Sequence, residues 1–180
     1  MFSSTSQRPA GIPRWPLGVA LALAVALVVG VLIAAAMVRN QPLDPLVLAA
    51  VPAPSANSTD CARLLAALPE NLDGGDSGAL LRRKLAAPAP AGAAAWGEPP
   101  VVLRCGLARP PQLTATSRLL DVSGVQFLEL VGLGASTWVV VDRPVYAVVA
   151  LPPTSGSGPL QQIAAVIGNT LPRRDVDVPH

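Results

Sequence analysis

The sequence predicts an α+β chain: an N-terminal transmembrane helix, then a two-layer domain with an antiparallel sheet of about five strands and two helices. Three observations lead there. Residues 17–38, LGVALALAVALVVGVLIAAAMV, hold no charge, no proline and no strongly polar side chain. Beyond them, runs rich in Val, Trp and Tyr recur between short turn signals, as hairpin-linked strands do. Two runs with apolar residues at helical spacing flank those strands. Tight turns give antiparallel pairing, and helices packed on one face complete the second layer.

The apolar run comes first. As a helix its 22 residues span about 33 Å, enough to cross a hydrocarbon core of about 30 Å. A cleavable signal has an apolar region of only about 7 to 15 residues, so length favours an uncleaved anchor. The Ala34-Ala35-Ala36 run offers small residues to a signal peptidase, and cleavage after it would leave a secreted protein. Arg8, Arg14 and the amino terminus precede the run, whereas Arg39 and then Asp44 follow it. The positive-inside rule therefore keeps residues 1–16 as a cytoplasmic basic tail and sends the domain outside. Gly18, Ala22, Ala26, Gly30 and Ala34 recur every fourth residue, forming one small-residue ridge. Such a ridge suits close helix packing, in a homodimer or against another membrane protein, although nine Gly and Ala among 22 residues also produce rows by composition alone.

Charge and cysteine content bound the exported part. The whole chain carries +2, but from residue 40 onward ten Lys and Arg face eleven Asp and Glu, a net −1. That balance lacks the clustered positive charge of a nucleic-acid footprint, so no nucleic acid is expected as partner. The densest basic run, Arg82-Arg83-Lys84, reads as solvated surface, with contact to anionic lipid or wall polymer as the alternative. Arg173-Arg174 reads likewise. Cys61 and Cys105 both lie beyond the anchor, and an even count in an exported domain indicates a disulfide. Their spacing suits neither a redox CxxC pair nor a metal site. Two buried thiols are the alternative if the topology is reversed.

In chain order, residues 39–58 carry four prolines among Ala, Ser and Asn, a semi-extended spacer. The exported domain is expected over 59–172. Ser58-Thr59-Asp60 offers N-cap chemistry to a short helix in which Cys61, Leu64, Leu65 and Leu68 share a face and Pro69 ends the run. Residues 70–95 read as loop, with Ala/Pro low complexity and at most a short edge strand near Leu80–Leu85. A turn over Gly97–Pro100 delivers a strand in which Val101, Leu103 and Cys105 face one way. Both cysteines thus point inward, by two independent periodicities. Ser123-Gly124 joins strands 118–122 and 125–130, which Gly132 and Gly134 then break. Asp142-Arg143-Pro144 joins strands 137–141 and 145–151. Pro159 opens a final helix whose apolar face holds Leu160, Ile163, Val166, Ile167 and Leu171. Pro172 ends it, and 173–180 is expected to be a flexible tail.

These features together, a single anchor, a Cys near a helix ended by Leu-Pro, AWGEPPVVLRCG, the SGVQF hairpin and a closing amphipathic helix, are distinctive. They resemble an actinobacterial family of uncharacterised exported or membrane-anchored proteins, defined only as a domain of unknown function. The resemblance covers most of residues 17–172, and Trp96–Gly106 is its one specific stretch. Phe127 stands where the family pattern suggests a second Trp. The resemblance implies an envelope location and the cysteine pair, and it brings no activity.

Chemistry is sparse. The one histidine is the last residue, His180, which argues against His-based nucleophilic catalysis or metal binding; neither metal nor cofactor is expected. No phosphate-loop or dinucleotide glycine pattern is present. Glu98, Asp121 and Glu129 are the carboxylates a paired-acid enzyme would need, but spacing pairs no two of them. Ser117 or Ser136 with Lys84 as base has no stronger support. Trp96, Glu98 and Arg104 form the candidate ligand or partner surface, in which Trp96 either packs in the core or floors a groove. The expected function is a membrane-anchored, non-catalytic envelope interaction module that binds a protein, wall polymer or lipid. An envelope enzyme using paired carboxylates is the alternative.

Overall fold

A computed structural model describes residues 15–39, 43–132 and 136–178. Arg8, Arg14, Gly134 and His180 lie outside the described residues. The chain forms two compact units, one ending at Leu43 and one beginning at Asp44.

The first unit is helix α1, Trp15–Arg39. Its stretch from Gly18 to Met37 has a mean hydropathy of 2.9 and is wholly exposed. That length and composition fit a membrane anchor or a signal sequence. A β-carbon at Gly18 or Gly30 would meet no other atom within 4 Å, so the small-residue ridge is bare.

The second unit is mixed α and β, with an antiparallel sheet, as the patterning predicts. Its six strands are β3 Ala93–Trp96, β4 Val101–Leu107, β5 Leu119–Val122, β6 Val125–Val131, β7 Ser136–Val140 and β8 Tyr146–Leu151. Their order is β3-β4-β8-β7-β6-β5. The last four form a meander, and β4 joins it by pairing with β8, Leu103 opposite Val149. Ser123 and Gly124, both at positive φ, make the two-residue turn between β5 and β6. A separate small hairpin pairs β1, Asn71–Asp73, with β2, Ala79–Leu81.

The stretch that reads as low-complexity loop contains β3, because alanine has little strand preference yet is held here by edge pairing with β4; Ala94 and Ala95 are buried. The expected spacer is also not free from residue 44 on. Leu46 donates its N–H to the Lys84 carbonyl (2.8 Å) and accepts from Ala86 (2.9 Å), and Ser55 donates to Gly106 (2.9 Å). Residues 44–56 therefore form a strap tied along the domain.

Helices α2, Thr59–Ala67, and α3, Gly158–Thr170, bury their apolar stripes with one face of the sheet. Ser58 caps α2 by accepting from the Cys61 N–H at 3.2 Å. Leu160, Ile163 and Ile167 of α3 are buried against Phe127, Val125 and Val149, each burial contributing about 2 kcal/mol. Cys61 and Cys105, both fully buried, are joined in a disulfide with Cα atoms 5.7 Å apart. The opposite sheet face is not bare. Leu128, Val139 and Val141 pack there with Leu113, and Val176 and Val178 close over them. Of the tail 173–180, expected to be flexible, the described residues 173–178 have no regular structure but are tied down; Arg174 donates its N–H to the Asp142 carbonyl and Arg109 donates to the Asp177 carbonyl, both at 2.9 Å.

Candidate functional site

Trp96, Glu98 and Arg104 do not share one surface. Trp96 ends β3 opposite Val101, on the helix-covered face, and is fully buried. Its indole N–H donates to the Pro69 carbonyl at 2.9 Å, and the Arg82 guanidinium lies 5.6 Å from its ring. It is a core aromatic, and it floors no groove. Arg104 pairs with Ala93 on the other face of β4 and donates to the Ala49 carbonyl at 2.9 Å. Its partner is the strap's backbone; neither Glu98 nor another carboxylate takes it. Glu98 is exposed in the β3–β4 turn and forms an ion pair with Arg83.

Arg83 is the organising residue there, and it was hidden inside a run read as solvated surface. Its side chain is only 7% exposed. It donates to the Gly97 carbonyl at 3.2 Å and to the Asp44 carbonyl at 2.7 Å, while its own N–H donates to Ala95. One guanidinium thereby ties the strap to the turn. Arg82 is also engaged, on Leu68 and Glu70, so only Lys84 of the three is fully exposed. Backbone carbonyls as partners leave no trace in a sequence, which is why the run looks free.

The three candidate acids are dispersed. Glu98 sits at the β3–β4 end, and β4 lies three places from β6, about 14 Å at ordinary strand spacing. Asp121 faces the same side as Gln126, whereas Glu129 pairs with Trp138 on the helix-covered side. Asp121 is also occupied, since it accepts the Gly124 N–H at 3.0 Å in its own turn. No two of them meet at the separations of about 5 to 10 Å that paired-acid hydrolysis uses. Ser117 is held in a turn, donating to Gln112 and accepting from Thr114. Among the described residues, no three His, Cys, Asp or Glu side chains gather to hold a metal ion.

One charged cluster was not foreseen. Asp142 and Arg143, in the β7–β8 turn, are both buried, with an Oδ2 to Nη1 separation of 2.6 Å. Arg143 donates to the carbonyls of Asp142 and Gly124, each at 3.0 Å, and Arg173 approaches Asp142 to 3.8 Å. Neither carboxylate oxygen of Asp142 has a hydrogen-bond partner, so the contact with Arg143 is an ion pair by proximity alone. The pair fastens the β7–β8 turn to the β5–β6 turn. Nearby Tyr146 has its hydroxyl pKa raised above 10, chiefly by burial and secondly by the Asp177 charge, with Arg109 opposing.

Two small cavities meet at the start of α3. One, about 220 Å³, is lined by Trp138, Leu151, Pro152, Pro153 and Leu160; the other, about 330 Å³, by Asp73, Asp76, Thr154, Ser155 and Ser157. Ligand pockets run from about 300 to 1,000 Å³, so these are at or below the small end. In the second cavity no hydrogen bond joins Asp73 or Asp76 to the hydroxyls of Thr154, Ser155 or Ser157; Asp73 accepts instead from the Gly75 N–H at 2.9 Å. Among the described residues, Glu98, Asp121 and Glu129 are not brought together, and Arg83, Arg104 and Arg143 serve as tethers to backbone carbonyls.

Neither the curated proteins nor the solved structures contain a match to this chain. A family pattern does match, over residues 21–176, running from within α1 through the disulfide, the sheet and α3 into the tail that closes the second face. With that span covered, the chain belongs to the family described as protein of unknown function, DUF3515.

Proposed function

We propose that the protein is a single-pass membrane protein with its amino terminus cytoplasmic and its domain extracytoplasmic, where the domain binds an envelope protein, wall polymer or lipid without transforming it. The observation that carries this reading is a fully buried disulfide in the unit that directly follows an apolar helix of membrane-spanning length. Disulfides persist in oxidising compartments, and the basic residues Arg8 and Arg14 precede the helix. The dispersal of Glu98, Asp121 and Glu129 favours binding over carboxylate catalysis. An actinobacterial envelope is the setting that the family resemblance implies. The ridge from Gly18 through Ala22, Ala26 and Gly30 to Ala34 suits a homodimer or another membrane helix; a membrane dimerisation reporter should lose signal on Gly30→Leu and Ala26→Leu.

The test of the main reading is fractionation of cells expressing the chain with a C-terminal tag. Full-length protein should stay in carbonate-washed membranes, resist alkylation without reductant, and lose its tag to protease added outside the membrane. A shortened protein in the medium would overturn the anchor, and a protease-protected tag would overturn the orientation.

A further inference from the structure

Among the described residues from Asp44 onward, three large apolar side chains are exposed: Val47 at 80%, Val51 at 43% and Leu81 at 61%. Two of them are on the strap, and Leu81 is beside its start. The Gly97 N–H donates to the Leu81 carbonyl, and Arg83 bridges the Gly97 and Asp44 carbonyls. Residues 45–54, PLVLAAVPAP, contain no polar side chain at all. A water-exposed spacer is ordinarily polar and unattached, so this one has the wrong composition for that task. It is also not loose. Leu46 and Leu48 turn toward the domain, while Lys84, Ala86, Arg83 and Arg104 hold its backbone from behind. That anchoring presents Pro45, Val47 and Ala49 outward as an apolar strip on a fixed base, with the exposed Lys84 alongside.

We infer that the strip formed by residues 45–51, with Leu81, lies in the headgroup–acyl boundary of a lipid bilayer. This rests on the reading of α1 as a membrane anchor. The occupant follows from chain connectivity: α1 ends at Arg39, the first tethered carbonyl is that of Asp44, and five residues reach at most about 18 Å. An anchor in the bilayer therefore keeps the start of this strip within about 18 Å of the helix end, so headgroup depth is within its reach, and there an apolar face beside a lysine is stabilised by burial and by anionic lipid. In water the same strip would be a solvation cost with no return.

The experiment uses the full chain in vesicles of phosphatidylcholine and phosphatidylglycerol. Single cysteines, Val47→Cys, Leu27→Cys and Gln161→Cys, are labelled in turn with an environment-sensitive fluorophore; the buried disulfide is left intact. Shallow spin-labelled lipid should quench the label at 47 at least twofold more than the label at 161, and the label at 27 should be quenched by deep spin-labelled lipid. Quenching at 27 but equal quenching at 47 and 161 overturns this inference and leaves the anchor standing. Absence of quenching at 27 overturns both. Crosslinking between copies through 47, without lipid quenching there, assigns the strip to self-association and also overturns the inference.

Discussion

The Gly106 carbonyl accepts the Ser55 N–H at 2.9 Å, and the glycine itself leaves the strap no room to spare. A β-carbon there would fall 2.3 Å from the Ser55 carbonyl carbon, and the residue's φ is +85°. Gly106→Ala therefore combines an unfavourable backbone region, about 1 to 2 kcal/mol, with a backbone clash that only release of the strap relieves. A stability loss above about 2 kcal/mol is expected from urea unfolding, with faster amide exchange at Leu46 and Ser55. Unchanged exchange at those amides would show the strap to be held elsewhere.

Removing the disulfide acts on the unfolded chain. Cys61 and Cys105 are 44 residues apart, and opening a loop of that size should cost about 4 kcal/mol on the chain-entropy model. Comparing urea midpoints of the native protein with Cys61→Ala/Cys105→Ala measures it. Because both sulfurs are buried, reductant should lower the midpoint only after unfolding has begun, so the native state should tolerate millimolar thiol.

Asp142 and Arg143 should behave as a unit. Arg143→Met leaves the buried carboxylate with only the exposed Arg173, 3.8 Å away, as counter-charge, an expected loss of about 3 kcal/mol. Adding Asp142→Leu removes the stranded charge and should recover much of that loss. A double-mutant cycle in urea tests this, and additive single effects would contradict it.

Tyr146 sets an alkaline limit. Its hydroxyl pKa is raised in the folded state, first by burial and then by Asp177, so the folded protein holds that proton more tightly than the unfolded chain. The stabilisation is complete below the ordinary value near 10 and is lost as pH climbs from there through the folded value. Tyr146→Phe should flatten the fall in thermal midpoint between about pH 9.5 and 11 relative to the native chain. Parallel curves would assign the fall to other groups.

How much of this was legible depends on what each element needed. The α2 cap, the inward cysteines, both later hairpins and α3 follow from spacing, because their stabilising partners are local or periodic. β3 is not legible because an Ala-rich stretch has neither period nor strand preference; antiparallel pairing with β4 fixes it. The strap was read as spacer because prolines signal extension, and nothing in a sequence says what an extended segment rests on. Arg83, Arg104 and Arg143 share one cause of error: each takes backbone carbonyls as partners, and carbonyls belong to every residue. At the candidate site, Trp96 and Arg104 are eight residues apart along a hairpin, yet opposite pleats separate them.

The pairing of β4 with β8 divides the domain in time as well as in space. Both bridge cysteines, with α2, β3 and β4, are encoded before residue 108, whereas the strand that completes β4's other edge, Tyr146–Leu151, and helix α3, on which α2 packs, come later. A polypeptide delivered amino end first thus has both sulfurs at hand while the meander is still to come. The bridge joins only segments from the first part of the domain, and the later strands and α3 complete the core around it.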